Sequence, residues 1–468
     1  MAEVKEKVQA GQGRYMPYPR YKESKVEGLS EVPEHWQEPT RVKFESSLKG
    51  RLGWQGLKAS EYRDEGPHVV SSAHFRNCAV EWERCPRVSM ERYNLDSNIQ
   101  LREGDILLMK DGAAMGKMAF VDSLPGPSCL NSHLLLFRPL IIDGAEPSYV
   151  PKFLFYFLLT ELFQGFIKVN GTGATFLGIS QQAIGNYSFY LPPYDEQRTI
   201  AAFLDYETAR IDDLIAKQQR LIELLKEKRQ AVISHAVTKG LNPDTPLKDS
   251  GIEWLGQVPE HWEVMAIKRL SKVMRGASPR PIDDPKYFDD EGSYAWVRIA
   301  DVSASGMYLN TTKQQLSPLG SSLSVKLEPG ELFLSIAGTV GKPCITGVKA
   351  CIHDGFVYFP ELSIEPKFLY YLFAAGEAYK GLGKMGTQLN LNTDTVGNIK
   401  IGVPKSEKEI EGIASYLDVK FEEYERLISV AQSAIDLMQE RRTALISAAV
   451  TGKIDLRDWE RPETNHVA

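Results

Sequence analysis

Leu247-Lys-Asp-Ser-Gly-Ile-Glu-Trp-Leu-Gly-Gln-Val-Pro-Glu-His-Trp262 echoes Tyr21-Lys-Glu-Ser-Lys-Val-Glu-Gly-Leu-Ser-Glu-Val-Pro-Glu-His-Trp36 at a constant offset of 226 residues. Further on, Ile413-Ala-Ser-Tyr-Leu-Asp418 repeats Ile200-Ala-Ala-Phe-Leu-Asp205 at an offset of 213. Arg442-Thr-Ala-Leu-Ile-Ser-Ala-Ala-Val-Thr451 repeats Arg229-Gln-Ala-Val-Ile-Ser-His-Ala-Val-Thr238 at the same offset. The chain is therefore one frame written twice, and the sequence inside each frame has diverged. An internal repeat of this kind decides the architecture before any single element does.

Each half ends in a long segment free of glycine and proline. In the first, Leu204, Ile211, Gln218, Leu225 and Val232 recur every seven residues, with Leu214 and Leu221 between them. In the second, Leu417, Tyr424, Ala431, Met438 and Leu445 do the same, with Leu427 and Ala434 between. A heptad stripe sustained this far predicts a coiled coil. Each helix of about 40 residues would be about 60 Å long. Such a helix needs a partner for its apolar stripe, and an antiparallel pair about a pseudo-two-fold axis satisfies both. The packing residues expected are Leu204, Ile211, Leu214, Leu221, Leu225, Leu417, Tyr424, Leu427, Met438 and Leu445.

Ahead of each helix lies a globular stretch. Short apolar runs such as Asp105-Ile-Leu-Leu-Met109 and Leu134-Leu-Leu-Phe137 read as strands. Pro151 to Phe163 and Pro366 to Phe373 read as twin helices with proline in the first turn. The expected fold class is α+β, with two globular mixed α/β units separated by two long helices. The expected layout is a loose arm over 1–20, units over 21–195 and 247–405, helices over 196–240 and 406–455, and a tail over 456–468.

Of 468 residues, 43% are hydrophobic and 25% charged, an ordinary soluble composition. The longest apolar run, Phe153 to Leu159, is too short to span a membrane, and a cytoplasmic location is expected. The five cysteines show no C-x-x-C pair. His74, Cys78 and Cys85 fit no common zinc spacing, so no metal is expected.

No catalytic constellation appears. Gly112-Ala-Ala-Met-Gly-Lys117 and Gly338-Thr-Val-Gly-Lys342 look like fragments of a phosphate loop but lack its spacing and its Ser or Thr. They read as tight turns carrying a cation. Leu191-Pro-Pro-Tyr194 lacks the polar first residue of an amino-methyltransferase box. Two copies of Val-Pro-Glu-His-Trp point to a structural role, with Trp36 and Trp262 packed on a core.

The formal net charge of −6 hides clustering. Between Val264 and Ile282 stand Lys268, Arg269, Lys272, Arg275 and Arg280 with no acid, and between Arg41 and Lys58 stand five cations against Glu45 alone. Arginine reads guanine and glutamine reads adenine, while lysine and arginine meet phosphates. The candidate DNA contacts are Lys49, Arg51, Gln55, Lys58, Lys110 and Lys117 in the first half. In the second they are Arg275, Arg280, Arg298 and Lys342. The competing expectation is a coiled-coil protein–protein adaptor without DNA binding.

The order of parts resembles the specificity subunit of type I restriction–modification enzymes. It runs Val-Pro-Glu-His-Trp, globular unit, and helix ending Arg-x-Ala-Val/Leu-Ile-Ser-x-Ala-Val-Thr, then all of it again. Glu103-Gly-Asp-Ile-Leu-Leu-Met-Lys-Asp-Gly112, Pro329-Gly-Glu-Leu-Phe-Leu-Ser-Ile-Ala-Gly338 and Gly386-Thr-Gln-Leu-Asn-Leu-Asn392 before Gly397-Asn398 resemble that family's recognition core. The resemblance implies two target recognition domains reading the halves of a bipartite, asymmetric DNA site, with the helices as spacer. It implies two methyltransferase subunits and motor–nuclease restriction subunits as partners. S-adenosylmethionine, ATP and Mg are implied on those partners, with no cofactor and no catalysis on this chain.

Overall fold

The computed structural model describes residues 15–462, apart from 51–56, 142–145, 173–176, 380, 381, 383, 386, 387 and 390. The chain divides into two compact units. Unit 1 joins Met1–Lys217 to Ile435–Ala468, and unit 2 is Gln218–Ala434. Part of the expected N-terminal arm, part of the tail, and Gly386 with Thr387 of the motif quoted above lie outside the described residues.

Among the strands of unit 1 are β1 (Ser46–Gly50), β2 (Arg63–Val70), β3 (Ile106–Met109), β4 (Met118–Phe120), β5 (Ser128–Leu130) and β6 (Leu134–Pro139). An antiparallel sheet runs β1-β6-β3-β4, and β2 pairs in parallel with β5. Strand periodicity sorts the apolar side chains by face. Ile106, Leu108, Leu135 and Phe137 pack with helix α1 (Pro151–Leu158). Leu107, Leu134 and Leu136 pack instead with Val69 and Val70 of β2 and Cys129 and Leu130 of β5. Burial on both faces explains why these strands are continuous apolar runs. The expected helix to Phe163 is interrupted. It stops at Leu158, the Thr160 hydroxyl donates to the Phe157 carbonyl at 2.7 Å, and a new helix starts at Glu161.

Unit 2 repeats the plan. Its strands include β7 (Met274–Arg275), β8 (Tyr294–Val297), β9 (Tyr308–Leu309), β10 (Gln315–Leu316), β11 (Val325–Leu327), β12 (Leu332–Ser335), β13 (Pro343–Thr346), β14 (Ala350–Ile352) and β15 (Phe356–Tyr358). One sheet runs β7-β15-β12-β13-β9 and the other β10-β8-β14-β11, with β8 parallel to β14. Leu332 and Leu334 face one core, and Phe333 faces the other. The twin of α1 follows, spanning Pro366–Ala374.

The long helices are α2 (Tyr194–Lys239) and α3 (Glu407–Val450). In unit 1, Asp212 pairs with Arg442 at 2.9 Å. Earlier residues of α2 (Ile200, Phe203, Leu204) share a core with later residues of α3 (Ile446, Ala449, Val450). The helices therefore run antiparallel. In unit 2, Arg229 pairs with Glu425 and lies over the Phe421 ring. There the late residues Ile233, Ala236 and Val237 of α2 meet the early residues Ile410, Ile413 and Leu417 of α3. At the 213-residue offset, Asp212 corresponds to Glu425 and Arg229 to Arg442. One contact is thus made twice, once in each unit.

The packed stripe differs from the expected one at its intermediate positions. Leu204 and Ile211 are buried, Leu417 is buried, and Tyr424, Leu225, Met438 and Leu445 are half-buried. Leu214, Leu221 and Leu427 are 43%, 43% and 39% exposed, whereas Ile215, Ile222 and Ile435 are buried. Steps of three and four residues both return to the same helix face. Apolar residues stood at both steps, and the isoleucines took the seam.

The paired histidine–tryptophan motifs are structural. Trp36 and Trp262 are fully buried. The Trp36 indole N–H donates to Glu196 Oε1 and the Trp262 indole to Glu409 Oε1, each at 2.9 Å. His35 and His261 meet the second oxygens of the same carboxylates at 2.8 and 2.9 Å. Each glutamate sits in the first turn of a long helix, where a carboxylate suits the helix dipole. In unit 1 the Tyr18 hydroxyl also donates to Glu196, at 2.5 Å. The segment after α3 completes this unit. A Cβ on Gly452 would lie 2.4 Å from Pro33, the Asp455 N–H donates to the Met16 carbonyl at 2.7 Å, and Trp459 stands edge-on to Phe203.

Candidate nucleic-acid interface

The turn between β14 and β15 of unit 2 gathers charge. Gly276 makes this possible, because a Cβ there would lie 2.3 Å from the His353 carbonyl oxygen. Without a side chain, the chain leaving β7 can lie against the turn. Arg275 donates from Nε to the Asp354 carbonyl at 2.5 Å, and Arg280 pairs with Asp354 Oδ2 at 3.0 Å. The Ser278 hydroxyl donates to Asp354 Oδ1 at 3.0 Å. Burial pushes this carboxyl up, but Ser278, Arg280 and Arg275 outweigh it and hold it below the ordinary carboxylate value.

The His353 ring lies tilted against Phe356 and Trp296, and its Nδ1 accepts the Gly355 N–H at 2.8 Å. Burial keeps the imidazole below its ordinary pKa against the pull of Asp354. Arg298, at the start of a short helix, bonds the side chain of Gln314. Arg275, Arg280 and Arg298 thus hold defined polar partners while remaining exposed. The fourth, Lys342, is half-buried. It donates to the Ser303 and Ser305 carbonyls at 3.0 and 2.9 Å, clamping the turn between β12 and β13.

In unit 1 the register places Gly50 of β1 opposite Leu135 of β6, where unit 2 places Arg275 of β7 opposite Val357 of β15. Lys49 is exposed on β1, and Arg51 and Gln55 lie outside the described residues. Lys58 is exposed at the mouth of a short turn. Lys110 follows β3 half-exposed, next to Asp111, whose carboxylate meets His133 Nδ1 at 2.7 Å. Lys117 is exposed and donates to the Ser72 carbonyl at 3.1 Å. The turn between β5 and β6 carries Asn131, Ser132 and His133 where unit 2 has His353, Asp354 and Gly355. Asp354, His353, Ser278 and Gln314 escape a search for cations. The aligned Cys129 and Cys351, each just before its turn, mark where to look.

Among the described residues no cluster of His, Cys, Asp or Glu could hold a metal ion. Burial raises the Cys85 and Cys351 thiols to about 11 and Cys344 to about 12, values of inert thiols. No described helix is long and apolar enough to cross a membrane.

Residues 58–224 and 259–430 match the family described as "Type I restriction modification DNA specificity domain", one copy in each half. The chain belongs to this family. It is a DNA-specificity subunit by that membership, a class with no catalysis of its own. The chain is 23% identical over 445 residues to the type I restriction enzyme MjaVIII specificity subunit of Methanocaldococcus jannaschii, covering 91% of this chain and 95% of that one. It is 24% identical over 222 residues to the EcoBI specificity subunit of Escherichia coli, covering 46% and 45%. Among solved structures it is similar to the HsdS subunit from Thermoanaerobacter tengcongensis, with a TM-score of 0.52 and 16% identity, covering 92% of this chain and all of that one. A chain from a type I restriction–modification assembly gives a TM-score of 0.69 at 16% identity, covering 90% and 99%. At such identities the structures speak for the specificity fold alone.

Proposed function

We propose that this specificity subunit reads a bipartite, asymmetric DNA site, one half per unit, with α2 and α3 setting the unread spacing. The observation that carries this reading is the twice-built frame with unlike tips. Gly50 and Asn131-Ser132-His133 in unit 1 stand at the positions held by Arg275 and His353-Asp354-Gly355 in unit 2. Equivalent frames with unequal tips suit unequal half-sites. The contacts proposed are Lys49, Arg51, Gln55, Lys58, Lys110 and Lys117, and Arg275, Arg280, Arg298 and Lys342. Lys117 and Lys342 serve best as phosphate contacts, since carbonyls already fix their ammonium groups. Phosphate contacts give affinity that falls steeply with salt.

The same reading has two methyltransferase subunits dock on the chain, one per unit, with restriction subunits joining them in the cytoplasm. Unit 1 exposes Leu214 of α2 and Leu437 of α3, and unit 2 exposes their equivalents Leu427 and Leu224. Each unit offers the same apolar pair to one partner. S-adenosylmethionine, ATP and Mg then belong to those partners. The test is a map of adenine methylation in the host genome with and without this gene. Loss of one split, non-palindromic motif is expected, and an unchanged map or loss of a palindrome overturns the reading.

A further inference from the structure

We infer that Asp354 is a positioning residue that pre-orders Arg275 and Arg280 as the reading pair of unit 2. This rests on the proposed role of that face in DNA recognition.

The geometry of the donors carries the inference. A guanidinium has five N–H donors in a rigid fork. Arg275 spends only its Nε–H, on the Asp354 main-chain carbonyl. Both terminal nitrogens stay free among the described residues, and that terminal pair is the edge that bonds guanine O6 and N7 together. Arg280 spends one terminal nitrogen on Asp354 Oδ2. Its other nitrogens are free among the described residues. The carboxylate is itself fixed, since Ser278 donates to its other oxygen. Asp354 sits in the tight turn between β14 and β15, whose neighbour His353 is wedged between Trp296 and Phe356. One residue thus offers its main chain to one arginine and its side chain to another, from a rigid mount.

An unrestrained arginine loses rotamer freedom when it binds, and a side chain held beforehand loses less. The same carboxylate also repels phosphate. It therefore lowers affinity for DNA of the wrong sequence, where no base contact compensates. The two effects act in opposite directions on matched and mismatched DNA, so Asp354 acts on discrimination more than on affinity.

The experiment uses the full chain with its methyltransferase partner, on a duplex carrying the methylated motif and on a scrambled duplex at matched salt. Asp354→Asn keeps the shape and removes the charge. Its expected signature is a loss of roughly tenfold in target affinity with scrambled-duplex affinity unchanged or tighter. Asp354→Glu recovers part of the loss. Thermal melting at neutral pH serves as the control for folding. Equal weakening on both duplexes, or no change on either, overturns the inference. Arg275→Ala and Arg280→Ala separate the two ways of failing. If they weaken target binding while Asp354→Asn is silent, the positioning role alone falls. If they too are silent, the reading of this face as a DNA contact falls with it.

Discussion

At the turn between β5 and β6, unit 1 sets Asn131, Ser132 and His133, and the Asn131 side chain is turned inward to cap the Ser132 N–H at 2.7 Å. At the matching turn of unit 2, Asp354 reaches outward to Arg280 while its carbonyl takes Arg275. The strands leading in and out agree in register, since Cys129 lies opposite Val69 and Cys351 opposite Trp296, and Leu135 opposite Leu108 and Val357 opposite Leu334. The helix contacts agree as well, since Tyr156 donates to Asp205 and Tyr371 to Asp418, both at 2.7 Å. Apart from His353, which lies against Trp296 and Phe356, the differing turn residues belong to no core cluster. A frame held by buried tryptophans, apolar strands and paired helices leaves its turns free to change sequence at little cost to folding. That separation of support from tip is what a changeable recognition protein needs.

The comparison can be broken at several depths. Replacing Trp36 or Trp262 by alanine removes the largest fully buried side chain of each frame. Both should cost about 3–5 kcal/mol in denaturant unfolding, and a large inequality would show the frames are not energetically equivalent. Next in size is the helix seam. Ile222→Ala should cost about 2–4 kcal/mol, whereas Leu221→Ala, one residue away, should cost under about 1 kcal/mol. A reversed order would return the seam to the leucines.

The capping glutamates come third, and here the units should differ. Glu196 is buried and serves Tyr18, His35 and Trp36, while Glu409 is 30% exposed and serves His261 and Trp262. Glu196→Ala should cost about 2–3 kcal/mol and Glu409→Ala about 1 kcal/mol, because water can replace the second but not the first. Equal losses would show that Tyr18 contributes nothing.

Smallest is the acid response of the unlike turns. The Asp354 carboxyl titrates below its unfolded value. Its stabilisation is therefore present above about pH 4 and lost as pH falls through the folded value. Solvent screening keeps this below about 1 kcal/mol. Melting of wild type and Asp354→Asn should converge on acidification, while a Ser132→Ala variant in unit 1 should show no such convergence. Parallel curves for the Asp354 pair would remove the linkage.

Much of the frame was legible in the sequence because its signals are redundant. The Val-Pro-Glu-His-Trp pair, the strand runs around Ile106 and Leu134 and the two long glycine-free segments each point to the same plan. The seam was legible only to within one residue. Leu214 and Ile215 sit one residue apart, and what decides between them is the shape of the opposing helix, which no single segment encodes. The break at Thr160 was hidden for a similar reason, since apolar residues continue on both sides of it. In the candidate interface, a search for cations finds Arg275, Arg280 and Arg298 but discounts an acid beside them. Asp354 comes into view only when the chain returns from β14 and lays the turn against the residues following β7.

Unit 2 is one uninterrupted stretch, Gln218–Ala434, whereas unit 1 needs Ile435 onward to fill its core and to cover Trp36. On the ribosome the domain begun first is therefore closed last. Its half-built apolar surfaces must wait, open to chaperones and proteases, until the residues from Ile435 onward have been translated. A late nonsense codon would then injure the amino-terminal reader and leave the second reader intact.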